Sequence, residues 1–229
     1  MSALATVRAV VFDLDDTLYP EVDYVRSGFQ CVAHHLAEGK WTTDGIFELL
    51  WSAFSQGPKD RVFNTVRHQL GRDDNRETIA KLVKLYREHQ PQLRLASEVI
   101  ETLDLLKQNY RLGLLSDGFL PAQQLKVEAL ELQKWFDKII FTEQLGRKFW
   151  KPATKAFEIM SDALGCPPES CVYVADNVSK DFVGPNKLGW QSVQLINDRQ
   201  VHSDVAPAAG GKPGQVIRKL SDLISLLKT

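Results

Sequence analysis

The first strongly patterned stretch of the chain is a largely apolar run from Val7 to Phe12 that is rich in β-branched residues. Such a run predicts a strand buried on both faces of a parallel sheet. Three carboxylates, Asp13, Asp15 and Asp16, follow at its carboxyl end. Open α/β sheets bind ligands at this edge, so the pattern predicts a site there.

Helical periodicity replaces the strand pattern between residues 20 and 91, where apolar positions recur every three to four residues and Gly or Pro ends each segment. Four helices are predicted, at Glu21–Ala37, from a cap at Thr42 or Thr43 to Gly57, at Arg61–Leu70 and at Glu77–His89. Their short connections predict a small helical bundle.

From Ser97 onward, helical and strand patterns alternate. The predicted helices are Ser97–Leu106 (with Ser97 as its cap), Ala122–Leu130, Ala153–Leu164, Ser179–Leu188 and Ser221–Leu227. The predicted strands are 112–115, 138–141, 171–175, 191–196 and an edge strand at 215–217, with a loop at 197–214. This alternation predicts an α/β fold, a Rossmann-like doubly wound parallel sheet with right-handed crossovers.

The helical tract interrupts the α/β pattern. We therefore predict a core domain formed by residues 1–19 and 92–229 and an inserted helical-bundle cap at residues 20–91. Because the insert begins directly after the carboxylates, it is expected to lie above the site and act as a lid.

Composition narrows the class of protein. A chain of 229 residues can bury one sizeable core and one inserted subdomain. A formal net charge of −1 favours neither nucleic acid nor an anionic membrane as a partner. The three cysteines form no disulfide framework, and the chain shows no bilayer-spanning run and no signal-peptide layout at its N-terminus. A cytoplasmic protein is expected.

The carboxylates after the first strand offer a specific chemistry. Asp13 and Asp15 share a face if the strand stays extended, but a turn at Leu14 would rearrange them, so their spacing fixes only their proximity. With the Thr17 hydroxyl and backbone amides beyond them, they suit a divalent cation and a phosphoryl group. Alternatively, Asp16 or Thr17 caps the next helix.

Three later segments add polar groups at a strand end or helix start. Ser116 and Asp117 end one strand, where a hydroxyl and amides can hold phosphate oxygens or simply form a Ser-Asp-Gly turn. Proline is favoured in the first turn of a helix, which accounts for Pro152 but not for the lysine before it, Lys151. Asp176 closes another strand, and the alternative there is a capped turn in which Ser179 starts the next helix.

The stretch Asp13-x-Asp15-x-Thr17-Leu18 resembles the first motif of the haloacid dehalogenase-like hydrolase superfamily. Ser116, Lys151-Pro152 and Asp176 resemble its second, third and fourth motifs, in order, so that the resemblance covers essentially the whole chain. The helical insert is similar in placement to the C1-type cap of the phosphatase branch.

The resemblance implies a role for each matched residue. Asp13 would be the nucleophile, Asp15 the acid and base, and Lys151 the charge that compensates the carboxylates and phosphate. Mg²⁺ would be held by Asp13, the Asp15 backbone carbonyl and Asp176. The phosphate would contact Ser116, Lys151 and the backbone amides of Leu14, Asp15 and Asp117. The supporting residues would be Thr17, Asn177 and Asp181. Asp181 would support either the water shell of the metal or Lys151.

Two positions depart from the family pattern. The segment from Gly146 to Lys151 is longer than the commonest version, so Lys148 competes with Lys151; the register to Phe157 favours Lys151. Ala175 stands where glycine is commoner.

The resemblance implies a Mg²⁺-dependent phosphomonoesterase that acts through an aspartyl-phosphate. Its partner would be a small-molecule phosphate monoester, a sugar phosphate or a nucleoside monophosphate, and the protein a monomer or small homo-oligomer. The alternatives are a phosphosugar mutase and a catalytically idle binding protein. A dehalogenase is disfavoured because dehalogenases of this superfamily lack an acid at the Asp15 position.

Substrate specificity is assigned to the loop between the first two helices of the insert. Lys40 and Trp41 are the candidates. For Trp41, a hydrophobic staple against Ile46 across a Thr42 cap is slightly favoured.

Overall fold

The computed structural model describes residues 4, 6–73, 75–201 and 206–227. The strands are β1 (Ala9–Phe12), β2 (Arg111–Ser116), β3 (Lys138–Phe141), β4 (Cys171–Ala175), β5 (Gln191–Leu195) and β6 (Gln215–Ile217). The α-helices are α1 (Glu21–Leu36), α2 (Thr43–Gln56), α3 (Val62–Gln69), α4 (Arg76–Glu88), α5 (Ser97–Lys107), α6 (Ala122–Ala129), α7 (Lys155–Leu164), α8 (Val183–Lys187) and α9 (Asp222–Leu227).

The six strands form one parallel sheet in the order β3-β2-β1-β4-β5-β6. This is the strand order of a Rossmann-type doubly wound sheet, and it confirms the predicted fold class. β1 lies between β2 and β4, with Ala9 paired to Arg111 on one side and to Cys171 on the other. All four residues of β1 are buried. The carboxyl ends of β2, β1 and β4 are therefore neighbours at one edge of the sheet.

The described chain divides into two compact units. The α/β unit comprises Met1–Val22, Arg94–Phe119 and Leu130–Thr229, and the helical unit comprises Asp23–Leu93 and Leu120–Ala129. This division places α6 with the helices of the insert, whereas the sequence pattern assigns α6 to the sheet domain. The boundaries at residues 20 and 91 stay predictions.

The helical unit is held together by an apolar cluster. In α1, Val25, Phe29 and Val32 share the face that is buried in it, as the helical spacing requires. Thr42 caps α2 by accepting a hydrogen bond from Gly45 N at 3.1 Å. Trp41 packs, half-buried, against the cluster that contains Ile46, in agreement with a hydrophobic staple.

Three predicted helix starts are wrong. α5 begins at Ser97, but the cap position is Ala96 and no side chain caps the helix. α7 begins at Lys155, so Pro152 lies before the helix, in a turn closed by a 3.0 Å hydrogen bond from Ala153 N to Trp150 O. α8 begins only at Val183.

The late start of α8 has a local cause in the turn after β4. The Asn177 side-chain oxygen accepts hydrogen bonds from the backbone nitrogen of Ser179 at 3.0 Å and from its hydroxyl at 2.6 Å. Short polar side chains compete with helix formation in this way, and here they hold a turn instead.

Between Asn197 and Gly214 the described residues form no helix or strand, and residues 202–205 of this predicted loop lie outside them. Within the described part of the chain, every helix is too short or too polar to cross a lipid bilayer.

Candidate active site

The carboxyl ends of β1, β2 and β4 bring three of the predicted site residues to one edge of the sheet. Asp13 follows β1 directly, and its backbone nitrogen donates to Val174 O at 2.9 Å, which extends the pairing with β4 by one residue. Ser116 is the last residue of β2, and Asp176 follows β4. All three side chains are buried. Aspartate side chains are seldom buried unless they have a partner, so Asp13 and Asp176 are expected to have one.

Lys151 brings a positive charge into contact with the carboxylates of this edge. Its Nζ lies 2.6 Å from Asp13 Oδ1, 2.7 Å from Asp181 Oδ1 and 3.0 Å from the Tyr173 hydroxyl. The side chain is fully buried. Burial lowers the pKa of Lys151, but the carboxylates of Asp13 and Asp181 outweigh this effect and raise the pKa well above its usual value. The ammonium group is therefore charged.

The structure distinguishes the two lysines of the lengthened segment. Lys148 is exposed, and its Nζ lies 4.9 Å from the ring centroid of Phe149. Lys151 contacts the carboxylates, in the place that the Lys151-Pro152 register predicts.

The Asp117 carboxylate braces the segment that carries Lys151. Asp117 Oδ2 accepts a hydrogen bond from the backbone nitrogen of Lys151 at 3.0 Å, and Oδ1 accepts one from the Thr142 hydroxyl at 2.7 Å. The end of β2 is thus tied to the segment before α7 and to the turn after β3. Asp117 therefore acts on the site through its side chain, in addition to the predicted use of its amide.

Three buried carboxylates could hold a metal ion. Oxygen atoms of Asp13, Asp176 and Asp181 lie within 4.8 Å of one another. Burial, with the charges of Asp13 and Asp181, raises the pKa of Asp176 to about 9; burial also raises the pKa of Asp13 to about 6, against the effect of Lys151. Hard oxygen ligands with an excess of negative charge fit a divalent cation such as Mg²⁺.

The residues after Asp13 divide between the site and the next helix. The Tyr19 hydroxyl donates to Asp15 Oδ1, and the Asp15 side chain is not one of the three clustered carboxylates. Asp16 accepts hydrogen bonds from Glu21 N at 2.8 Å and from Val201 N at 2.7 Å. Because Glu21 is the first residue of α1, Asp16 caps that helix while Asp13 faces Lys151. The helix-cap reading therefore applies to Asp16, whereas the use of Asp13 and Asp15 for a cation and a phosphoryl group stays a prediction.

Comparison with known proteins places the chain in a family. The sequence profile of the haloacid dehalogenase-like hydrolases matches residues 10–195, most of the chain. The chain belongs to this family.

Two curated relatives of this hydrolase are phosphatases. It is 29% identical over 209 residues to a glyceraldehyde 3-phosphate phosphatase from Methanopyrus kandleri, covering 88% of each chain. It is 29% identical over 210 residues to an N-acylneuraminate-9-phosphatase from Mus musculus, covering 85% of this chain and 84% of that one. The hydrolase is therefore an enzyme of the phosphatase branch.

A solved structure supports the fold. The HAD-hydrolase YfnB from Bacillus subtilis, bound to magnesium, aligns with 97% of this chain and 99% of its own, with a TM-score of 0.70 and 19% sequence identity.

The remaining predicted residues of this hydrolase have the following surroundings. Asp181 Oδ2 accepts a hydrogen bond from Asn177 N at 2.9 Å, so Asp181 links the turn after β4 to Lys151. Leu14 is buried. Thr17 is also buried, and its hydroxyl has no hydrogen-bond partner within the described residues.

The two specificity candidates belong to the helical unit. Lys40 is exposed, and its Nζ lies 5.2 Å from the ring centroid of Trp41. Their part in specificity stays a prediction.

Sequence reasoning also missed two tyrosine contacts of the site. Tyr173 lies in the middle of the apolar strand β4, where its pattern predicts a core residue, yet its hydroxyl contacts Lys151. Tyr19 follows the first motif, and its hydroxyl holds Asp15. A hydroxyl-bearing aromatic residue in or beside a motif strand is the signal that could have identified both.

Proposed function

We propose that this hydrolase is a Mg²⁺-dependent phosphomonoesterase that acts on a small phosphorylated metabolite through an aspartyl-phosphate. The observation that carries the proposal is the buried contact between Asp13 and Lys151 beside Asp176 and Asp181. The two phosphatase relatives described above, at 29% identity, are named for phosphorylated sugars, which favours a sugar phosphate over a nucleoside monophosphate as the substrate.

Asp13 is suited to attack phosphorus. With Lys151 on Oδ1, the other carboxylate oxygen is left for the substrate. A pKa of about 6 leaves Asp13 largely ionised at neutral pH despite its burial. As the new bond to phosphorus forms, the bond between phosphorus and the substrate's alkoxide breaks.

Asp15 is suited to move the protons of both half-reactions. It gives a proton to the departing alkoxide and then takes one from the water that hydrolyses the aspartyl-phosphate. Hydrolysis releases inorganic phosphate and restores the Asp13 carboxylate. The hydrogen bond from Tyr19 fixes one Asp15 oxygen.

The phosphoryl group would be held by positive charge and hydrogen-bond donors at the sheet edge. Lys151, the Ser116 hydroxyl and the amides of Leu14, Asp15 and Asp117 would contact its oxygens. Mg²⁺ would be held by Asp13, Asp176 and the Asp15 carbonyl, and it would supply positive charge that neutralises the phosphoryl oxygens. Asp181 would keep Lys151 in place.

The test is release of inorganic phosphate from a panel of sugar phosphates and nucleoside monophosphates, with Mg²⁺ and with EDTA. Asp13→Asn is expected to abolish release, and EDTA is expected to suppress it. Asp162→Asn makes the same change on the exposed face of α7 and should act like the wild type. Normal turnover by Asp13→Asn would contradict the proposal. An isomerised phosphosugar without phosphate release would indicate a mutase.

A further inference from the structure

The lengthened segment before Lys151 has no part in the proposed chemistry. Residues Arg147–Phe149 form a short 3₁₀ turn. Gly146, with φ of 100°, adopts a backbone conformation that other residues rarely take, and it sets the direction in which the turn leaves. Hydrogen bonds from Phe149 N to Gly146 O at 2.9 Å and from Trp150 N to Arg147 O at 3.1 Å close the turn.

The turn places Arg147 on two aromatic rings. Its guanidinium carbon lies 4.5 Å from the ring centroid of Phe119 and 5.2 Å from that of Trp150. The two rings meet edge to face, with centroids 5.5 Å apart. Trp150 is fixed in turn by a 3.1 Å hydrogen bond from its indole nitrogen to Glu143. A guanidinium held in this way loses little freedom when it binds a ligand.

These rings are continuous in sequence with the phosphate-binding elements. Phe119 lies two residues after Asp117, and Trp150 directly precedes Lys151. The hydrogen bond from Lys151 N to Asp117 joins the two segments. Because consecutive Cα atoms are about 3.8 Å apart, both rings are attached within about 8 Å of residues that flank the phosphate site. A small metabolite spans a similar distance, so one bound at the phosphate site could also reach the two rings.

The guanidinium donors of Arg147 have no partner among the residues that the structure describes. Arg147 is exposed, and its guanidinium makes no hydrogen bond and no ion pair within the described ranges. A guanidinium remains charged at any physiological pH and offers five donors in a fork that matches a carboxylate or phosphate.

We propose that Arg147 binds a second anionic group of the substrate, a carboxylate or a second phosphate, and so selects phosphate monoesters of acidic metabolites. This inference rests on the proposed phosphatase function. It makes Arg147 a specificity residue contributed by the α/β unit.

The experiment compares matched substrates that differ in the second anion. The pairs are 6-phosphogluconate with glucose 6-phosphate, for the carboxylate, and fructose 1,6-bisphosphate with fructose 6-phosphate, for the phosphate. For each pair, the ratio of kcat/KM values, acidic over neutral, is measured in the wild type, Arg147→Gln, Arg147→Lys and Lys148→Gln.

Arg147→Gln should lower the ratio by about 10- to 100-fold in at least one pair, mainly through KM, because a charge-assisted hydrogen bond is lost. Arg147→Lys should recover part of the ratio, since it keeps the charge but not the fork. Lys148→Gln removes an adjacent exposed cation and should leave the ratio unchanged. A ratio in Arg147→Gln equal to that of the wild type in both pairs would overturn the inference.

Calorimetric binding of the same four compounds separates this inference from the proposed function. If the wild type releases no phosphate, the phosphatase proposal fails. The assignment of Arg147 still stands if Arg147→Gln selectively weakens binding of an acidic compound, and it falls if all four bind both proteins equally.

Discussion

The edge of the sheet and the core of the helical unit bury very different groups. At the sheet edge, Asp13, Lys151 and Asp181 form a buried charged cluster. In the helical unit, His89 bonds to Tyr86 O at 2.6 Å and to the Ser27 hydroxyl at 3.1 Å, and burial lowers its pKa, which favours the neutral form.

The side chains that surround these buried groups also differ between the two regions. Aromatic rings surround the polar groups of the helical unit: the ring centroids of His89 and Tyr24 are 5.0 Å apart, and the buried Lys126 lies 4.2 Å from Tyr24. Buried charge costs free energy, whereas buried apolar surface stabilises. We therefore expect changes at the sheet edge to affect chemistry most and changes in the helical core to affect stability most.

Among the changes that test this comparison, the largest effect should come from Lys151→Met, which breaks the buried ion pairs. We expect kcat to fall by about 10³-fold or more. The free energy of unfolding should fall by about 3–5 kcal/mol, because two carboxylates lose their cation. Steady-state kinetics and denaturant unfolding measure these changes. In the double variant Lys151→Met/Asp181→Asn, part of the stability should return without the activity; wild-type turnover in Lys151→Met would remove the contrast between the two regions.

Leu50→Ala tests the other side of the comparison. Leu50 is fully buried in the helical cluster, so its truncation should lower the free energy of unfolding by about 3 kcal/mol. The kcat of the folded protein should change less than about twofold, because the substitution leaves the sheet edge intact. Leu105→Ala, at a residue that is 47% exposed, is the control and should cost less than about 1 kcal/mol. Equal losses in the two variants would contradict the prediction.

Mg²⁺ binding should depend on pH in a direction that the buried carboxylates fix. With a pKa of about 9, Asp176 keeps its proton at neutral pH in the metal-free protein, so Mg²⁺ must displace it. Affinity should therefore rise about 10-fold per pH unit between pH 6 and 8 and level off above about pH 9. Below about pH 6, the dependence should steepen as Asp13 also takes up a proton.

Isothermal titration at several pH values measures this dependence. In Asp176→Asn, Mg²⁺ should bind more weakly and without the slope above pH 7. An affinity that does not change with pH in the wild type would contradict the assignment of Asp176.

The smallest effect is expected for Tyr19→Phe, which removes the hydrogen bond to Asp15. We expect kcat to fall about 5- to 10-fold with KM nearly unchanged, because Tyr19 would position the proposed acid, Asp15, rather than the substrate. Tyr110→Phe is the control, since it removes a comparable hydroxyl that bonds to Leu227 O at 3.0 Å. A matching loss in both variants, or a change confined to KM, would show that Tyr19 has no positioning role.

The sequence was most informative where local pattern and tertiary structure agree. The strands Lys138–Phe141, Cys171–Ala175 and Gln215–Ile217 match their predicted limits, because apolar runs between turn residues define them. The prediction failed after β4, where Asn177 holds a turn in place of the first part of a helix.

Within the candidate site, the sequence pointed to the carboxylates, to Lys151 and to Asp181 as a support, but not to two further side chains that contact Lys151. Asp117 supports Lys151 through its side chain, and Tyr173 contacts it from inside β4. Both contacts join segments that are far apart in sequence, and neither a pattern nor a motif spacing encodes such a pairing.

The position of β1 in the sheet sets the order in which the protein can mature during translation. β1 is complete at residue 12, but its neighbour β4 ends only at residue 175. At about 5–20 residues per second, the ribosome needs roughly 8–30 s to supply that partner. Asp13 and Asp181 cannot meet before then, whereas the Asp23–Leu93 segment of the helical unit is already synthesised. The nascent chain therefore carries Asp13, the proposed nucleophile, for most of its synthesis before the residues around it are in place.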